Sequence, residues 1–151
     1  MMKAIDELVA ELADREAIRD LAVRYCDCIW RKDIDGLLGL FAEDATYVIK
    51  GVEVEAVSRG RDAIKKMHEK ALAETSPRLF VHNQIVNLLG RDRASSRCGV
   101  EVRNLDLTME WIGVGYFEDE NIKLGDSWKF SSRHHSFDGV DTKLYLRTFI
   151  P

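Results

Sequence analysis

The sequence predicts an α+β fold: a curved antiparallel sheet with helices packed on one face. Helical spacing dominates the front of the chain, and β-rich segments parted by turn residues fill the second half. Runs of helices followed by runs of strands, rather than strict alternation, give separate layers instead of a parallel α/β sheet. With 151 residues, 46% hydrophobic and 32% charged, the chain suits one domain over residues 1–151 with a core of ordinary size.

Residues 4–41 read as three helices. Ile18, Leu21, Ala22, Tyr25 and Ile29 recur at spacings of three and four and line one face of the main helix. Asp14 is the expected N-cap of that helix, a shorter helix precedes it at about Ala4 to Leu12, and Asp33 caps a third through DIDGLLGLF. ATYVIKGVEVEAVS alternates around a central glycine and suits a hairpin. GRDAIKKMHEKALAET returns to helical spacing with Ile64, Met67 and Ala71 inward. After Pro77, segments at about 79–89, 94–106, 108–123 and 127–137 are parted by turn signals at Gly90–Asp92, near Asn104–Asp106 and at Gly125–Asp126, which predicts an antiparallel meander.

Twenty-two Lys+Arg stand against 26 Asp+Glu, a formal charge of −4, with the basic residues scattered rather than striped. That argues against a nucleic-acid surface and for a small-molecule or protein partner. The first twenty residues are too acidic for a signal peptide and no apolar run reaches membrane-span length, so a cytoplasmic protein without membrane association is expected. Three cysteines, Cys26, Cys28 and Cys98, form no even framework and read as reduced thiols. Cys26 and Cys28 are about 200° apart around a helix and cannot jointly grip a metal. The four histidines form no HExxH or HxH arrangement, so no metal is expected. Gly113 and Gly115 in IGVGYF lack the rest of a dinucleotide fingerprint and fit a bulge or bend in a curved sheet, so no cofactor is expected either.

The front, LADREAIRDLAVRYCDCIWRKDIDGLLGLFAEDATYVI, and the tail, YFEDENIKLGDSWKFSSRHHSFD, resemble the SnoaL-like branch of the nuclear-transport-factor-two-like superfamily, close to scytalone dehydratases. The likeness covers nearly the whole chain; its most specific parts are the front pattern and Trp128 followed by Arg133. The resemblance implies a cystatin-like cone, an α+β barrel whose sheet curls around an apolar cavity under N-terminal helices. It also implies a dimer or trimer in many members, and functions that range from lyases and isomerases to binding proteins and assembly subunits.

Candidate site residues follow from strand parity and from that likeness. In RLFVHNQIV, Phe80, His82 and Gln84 share one strand face. The resemblance makes His82 the general base, aided by an aspartate of the main helix; a hydrogen-bonded structural histidine is the ordinary alternative. At the position implied for that acid stands Trp30, and Asp27, one turn earlier, is the candidate substitute, or else an exposed partner of Arg31. Tyr25 and Tyr47 are candidate cavity phenols that would hold a substrate oxygen, and either also suits a core position. Trp30 is a candidate substrate-contacting residue. His134 shares a strand face with Ser132, Phe130 and Trp128, opposite Arg133 and His135, and is a substrate-site or interface residue according to which face is inner.

Two readings result. One is a cofactor-independent lyase or isomerase, dehydratase-like, acting on a hydrophobic small molecule by histidine general-base catalysis in the cone. The other is a non-catalytic small-molecule-binding or oligomeric assembly module of the same fold. The apolar tail with Leu144, Tyr145, Leu146, Phe149 and Ile150 is expected to close the cavity or to pack on a second subunit of a homo-oligomer.

Overall fold

A computed structural model of the chain describes residues 2–51, 55–105 and 110–140. The elements run α1 (Ile5–Arg31), α2 (Ile34–Leu38), β1 (Phe41–Lys50), β2 (Glu55–Arg59), α3 (Gly60–Glu74), β3 (Pro77–Leu88), β4 (Arg93–Asn104), β5 (Glu110–Leu124) and β6 (Ser127–Val140). The expected meander is present as β3 to β6. The tail from Leu144 to Ile150 lies outside the described residues.

The first two expected helices are one. No glycine or proline interrupts residues 5–31, and α1 runs unbroken for 27 residues. Asp14 does not cap a helix. Its carboxylate instead accepts hydrogen bonds from Trp128 Nε1 at 2.8 Å and Lys123 Nζ at 2.9 Å, tying α1 to the β5–β6 hairpin. The helix ends where Lys32 turns left-handed, with φ 55°. Asp33 then caps α2 as expected, accepting from the Gly36 N–H at 2.9 Å.

The six strands form one open, mixed sheet in the order β2-β1-β6-β5-β4-β3. All neighbours are antiparallel except β1 and β6, which pair in parallel, a long-range contact that local periodicity does not announce. Helices α1 and α3 cover the inner face, and the core fills the space between them and the sheet.

Bulges interrupt the ladder between His82 and Ile85 on β3, between Phe130 and Ser132 on β6 opposite Glu120 and Asn121, and between Phe137 and Gly139 on β6 opposite Val114 and Gly115. Each extra residue bends its strand and reverses the inward and outward parity beyond it. Gly115 lies at such a bend: a Cβ there would sit 1.9 Å from the Ser136 carbonyl oxygen. Gly113 is similarly tight, 2.9 Å from the Phe137 ring. The G-x-G is therefore a close-approach device of the sheet.

Gly115→Ala is expected to lose at least about 3 kcal/mol, because the clash is with backbone that cannot rotate away. Gly90→Ala, where a Cβ meets nothing within 4 Å, should stay within about 0.5 kcal/mol of the parent. Urea denaturation of both variants checks the pair.

Candidate functional site

The deepest polar groups of the cone are held by α1, β1, α3 and β6. Tyr25 belongs to the inward stripe of α1, and Tyr47 faces inward from β1. His68 sits one turn after Ile64 on the buried side of α3. His135 faces inward from β6 because the bulge at Ser131 resets the parity, so that Trp128 and Phe130 before it and Arg133, His135 and Phe137 after it are all buried.

These four side chains form a connected line. The Tyr25 and Tyr47 hydroxyl oxygens are 2.9 Å apart, Tyr25 Oη is 2.8 Å from His68 Nε2, and Tyr47 Oη is 3.5 Å from His135 Nδ1. His68 Nδ1 lies 2.8 Å from the Ile64 carbonyl oxygen and donates to it. Ile29, Ile49, Met67, Leu72 and Leu79 complete the wall of a cavity of about 10 Å³, room for about one water. The interior is nearly filled by its own side chains.

Burial sets the protonation of the line. It lowers His68 to about 4, against the pull of the bond to Ile64, and burial together with the nearby Arg133 charge lowers His135 to about 3. Both imidazoles are neutral at pH 7. Burial also pushes Tyr25 well above its ordinary value, and Cys26 up to about 12 and Cys98 to about 11, so these thiols carry no nucleophilic thiolate. Among the described residues no group of three His, Cys, Asp or Glu side chains is placed to hold a metal ion.

Beneath this line lies a buried ion pair. Arg133 is fully buried and donates from Nε and Nη2 to the two Asp119 oxygens at 2.8 and 2.9 Å. Its guanidinium lies 3.8, 4.1 and 4.4 Å from the ring centroids of Phe117, Phe130 and Tyr25. Burial opposes the charge, but Asp119 reverses that effect and holds Arg133 protonated. Arg133 Nη1 has no hydrogen-bond acceptor among the described residues.

The residues chosen from the sequence divide sharply. Tyr25 and Tyr47 line the cavity. His82 does not face it: the inner positions of β3 are Leu79 and Val81, and after the bulge Gln84 and Val86, which leaves His82 on the outer face with its side chain 57% exposed. Its carboxylate neighbour is Glu101, at 3.9 Å, not Asp27. Asp27 is exposed and bonded to Arg31 at 2.9 Å, one helical turn on. Trp30 lies at the end of α1, donating from Nε1 to the Leu79 carbonyl at 3.1 Å and meeting Phe80 edge to face. His134 points to the outer face beside Glu118, in a shallow cleft with Ser132 and Arg97.

Sequence reasoning missed His68 and set His135 aside. His68 was findable, since it falls on the same helical stripe as Ile64 and Leu72. His135 was not, because nothing in the local pattern marks Ser131 as the extra residue of a bulge.

Acid should unfold the protein through these groups. An unfolded histidine titrates near 6.5, whereas His68 and His135 stay neutral in the fold until about 4 and 3. Between those values the unfolded chain binds more protons, so stability is full above about pH 6.5 and falls as pH drops toward 3, by on the order of 8 kcal/mol in all. Urea midpoints across pH 4–8 should show that loss, with a shallower slope in His135→Gln. Asp119→Ala strands the Arg133 charge and should cost about 3–5 kcal/mol, whereas Asp119→Leu combined with Arg133→Met, removing both charges, should cost less. Thermal denaturation of the two variants compares them.

Several solved structures share this architecture. An NTF2-like protein with a cystatin-like fold from Novosphingobium aromaticivorans is 26% identical with a TM-score of 0.75, over 94% of this chain and 96% of that one. A candidate scytalone dehydratase from the same organism is 20% identical with a TM-score of 0.74, over 87% and 89%. A hexachlorocyclohexane dehydrochlorinase is 17% identical with a TM-score of 0.74, again over 87% and 89%. The search of curated proteins gives no match. Residues 10–134 match the SnoaL-like domain, and with the helix-covered, cystatin-like sheet described above, the chain belongs to the SnoaL-like domain family.

Proposed function

We propose that the protein is a cofactor-independent lyase or isomerase acting on a small hydrophobic molecule at the inner end of the cone. The observation that carries this reading is the line of two phenols and two neutral imidazoles enclosed by apolar walls. A neutral imidazole in a dry site can take an activated proton, and phenols beside it can hold the oxygen or halogen on which charge develops. In this reading His135 is the base, in the role the sequence assigned to His82, and Tyr47 and Tyr25 hold the leaving or carbonyl group. Elimination of water or hydrogen halide fits the fold-mates described as a scytalone dehydratase and a dehydrochlorinase. His82 and Asp27, on exposed surfaces and apart, have no part in this scheme.

One observation favours the second reading, a binding or assembly module. A cavity of about 10 Å³ is far below the roughly 300–1,000 Å³ of ordinary ligand sites, and entry of a substrate requires Met67, Leu72 and Leu79 to give way. Met67, unbranched, is the most adaptable of the three.

Screening hydroxylated, halogenated and keto-substituted cyclic compounds for elimination or double-bond migration separates the readings. Turnover is expected to fall about 10²–10⁴-fold in His135→Asn and in Tyr47→Phe and to be unchanged in His82→Ala. It should hold from pH 8 down to about pH 5, because His135 and His68 remain neutral there. Binding without any turnover would support the module reading. Loss of activity in His82→Ala with none in His135→Asn would place the chemistry elsewhere.

A further inference from the structure

We propose that small molecules reach the cavity through the last turn of α3, beyond His68, and that Lys32, reaching across from the end of α1, is the latch that holds this turn shut. The part this door plays in turnover rests on the function proposed above. The door itself does not.

The cavity of about 10 Å³ is closed, so anything larger than a single water enters only if part of the wall moves. Most of that wall is fixed. Tyr25 and Ile29 belong to the inward stripe of α1, and Tyr47, Ile49 and His135 stand on paired strands, all of them buried. Leu79 lies where β3 pairs with β4. Met67 and Ala71, by contrast, are only half-buried, which brings the cavity closest to the surface at the end of α3. His68, 2.8 Å from the Tyr25 hydroxyl, pins α3 from inside, so the part left to swing is the turn after it, with Ala71 and Leu72.

A helix end leaves its last four carbonyls without partners inside the helix. In α3 the Ala71 carbonyl accepts from the Thr75 N–H at 3.2 Å and from the Thr75 hydroxyl at 2.7 Å. The Leu72 carbonyl accepts from Lys32 Nζ at 2.8 Å. α3 has no basic residue of its own in its last turn, so Lys32 also supplies the cation that a helix C-terminus attracts. The post that carries this latch is firm: Lys32 is the left-handed C-cap of α1, and Trp30, two residues earlier, donates to the Leu79 carbonyl at 3.1 Å. One end of α1 therefore holds Leu72 on the moving side of the cavity and Leu79 on the fixed side. A single hydrogen bond at a partly exposed site is weak enough to open and re-form while the rest of the fold stays closed.

Two measurements on the intact protein, without ligand, test this. In the first, Ile49→Cys puts a thiol in the cavity wall, and its reaction with methyl methanethiosulfonate is followed by peptide mass. Natural Cys98, 1% exposed and outside that wall, is the internal reference for any other route of opening. Adding Lys32→Met, which keeps the aliphatic stem and removes the ammonium, should speed modification at position 49 about 3–10-fold while the Cys98 rate holds. Should Ile49→Cys not fold, Ile29→Cys on the same wall takes its place. The second measurement needs no added cysteine: amide hydrogen exchange in Lys32→Met should speed by a similar factor from Leu72 to Thr75, with no change at Phe117 and Phe130. The proposal is overturned if a folded Lys32→Met leaves the exchange of that turn as in the parent, or if the turn loosens and the cavity thiol reacts no faster. It is equally overturned if Cys98 speeds by the same factor, which is what a general loss of stability would give. No turnover enters either measurement, so failure of the catalytic reading and failure of this one are told apart.

Discussion

A guanidinium at the centre of an apolar core needs a counter-charge, and Arg133 takes that charge and its ring contacts from separate parts of the chain. Asp119 on β5 takes two of its N–H groups, and Phe117, Phe130 and Tyr25 present ring faces from β5, β6 and α1. An ion pair this deep contributes little net stability, but breaking it leaves a charge in low dielectric. The contacts are therefore mutually conditional. α1 must dock with Tyr25 inward, and β5 and β6 must pair in one register, for the charge to be tolerated.

That same charge shapes the chemistry above it. A permanent cation close to His135 makes a second buried positive charge costly, so the imidazoles stay neutral and the polar line is built of groups that share protons without net charge. Trp30 stands where the family resemblance places the acid, and it fastens the end of α1 to β3 through the Leu79 carbonyl. The end of the helix is a structural anchor, and the buried polar line lies deeper, on α1, β1, α3 and β6.

Much of the architecture was legible along the chain. The inward stripe of α1, the cap at Asp33, the β1–β2 hairpin, α3 and the four-strand meander all follow from local period and turn chemistry. The break expected at Asp14 was misleading because a capping residue type says only that its carboxylate seeks an N–H. Here Trp128, 114 residues away, supplied one. The site was legible only in part: Tyr25 and Tyr47 stand at inward positions, while His82 was a cavity residue only through the family resemblance, and strand parity left the face of His134 open until the bulge at Ser131 decided it.

By itself, then, the sequence determined the layers, the elements and the two phenols, because helical and strand periods are local properties carried by neighbouring residues. Only the tertiary structure decided which histidines face the interior. A bulge arises from how one strand registers against another, and a single extra residue at Ser131 or beside Asn83 turns every following side chain to the opposite face. The parallel pairing of β1 with β6 is of the same kind, since it joins residues about ninety positions apart. It brings Tyr47 beside Arg133 in the ladder and so completes the line that ends at His135.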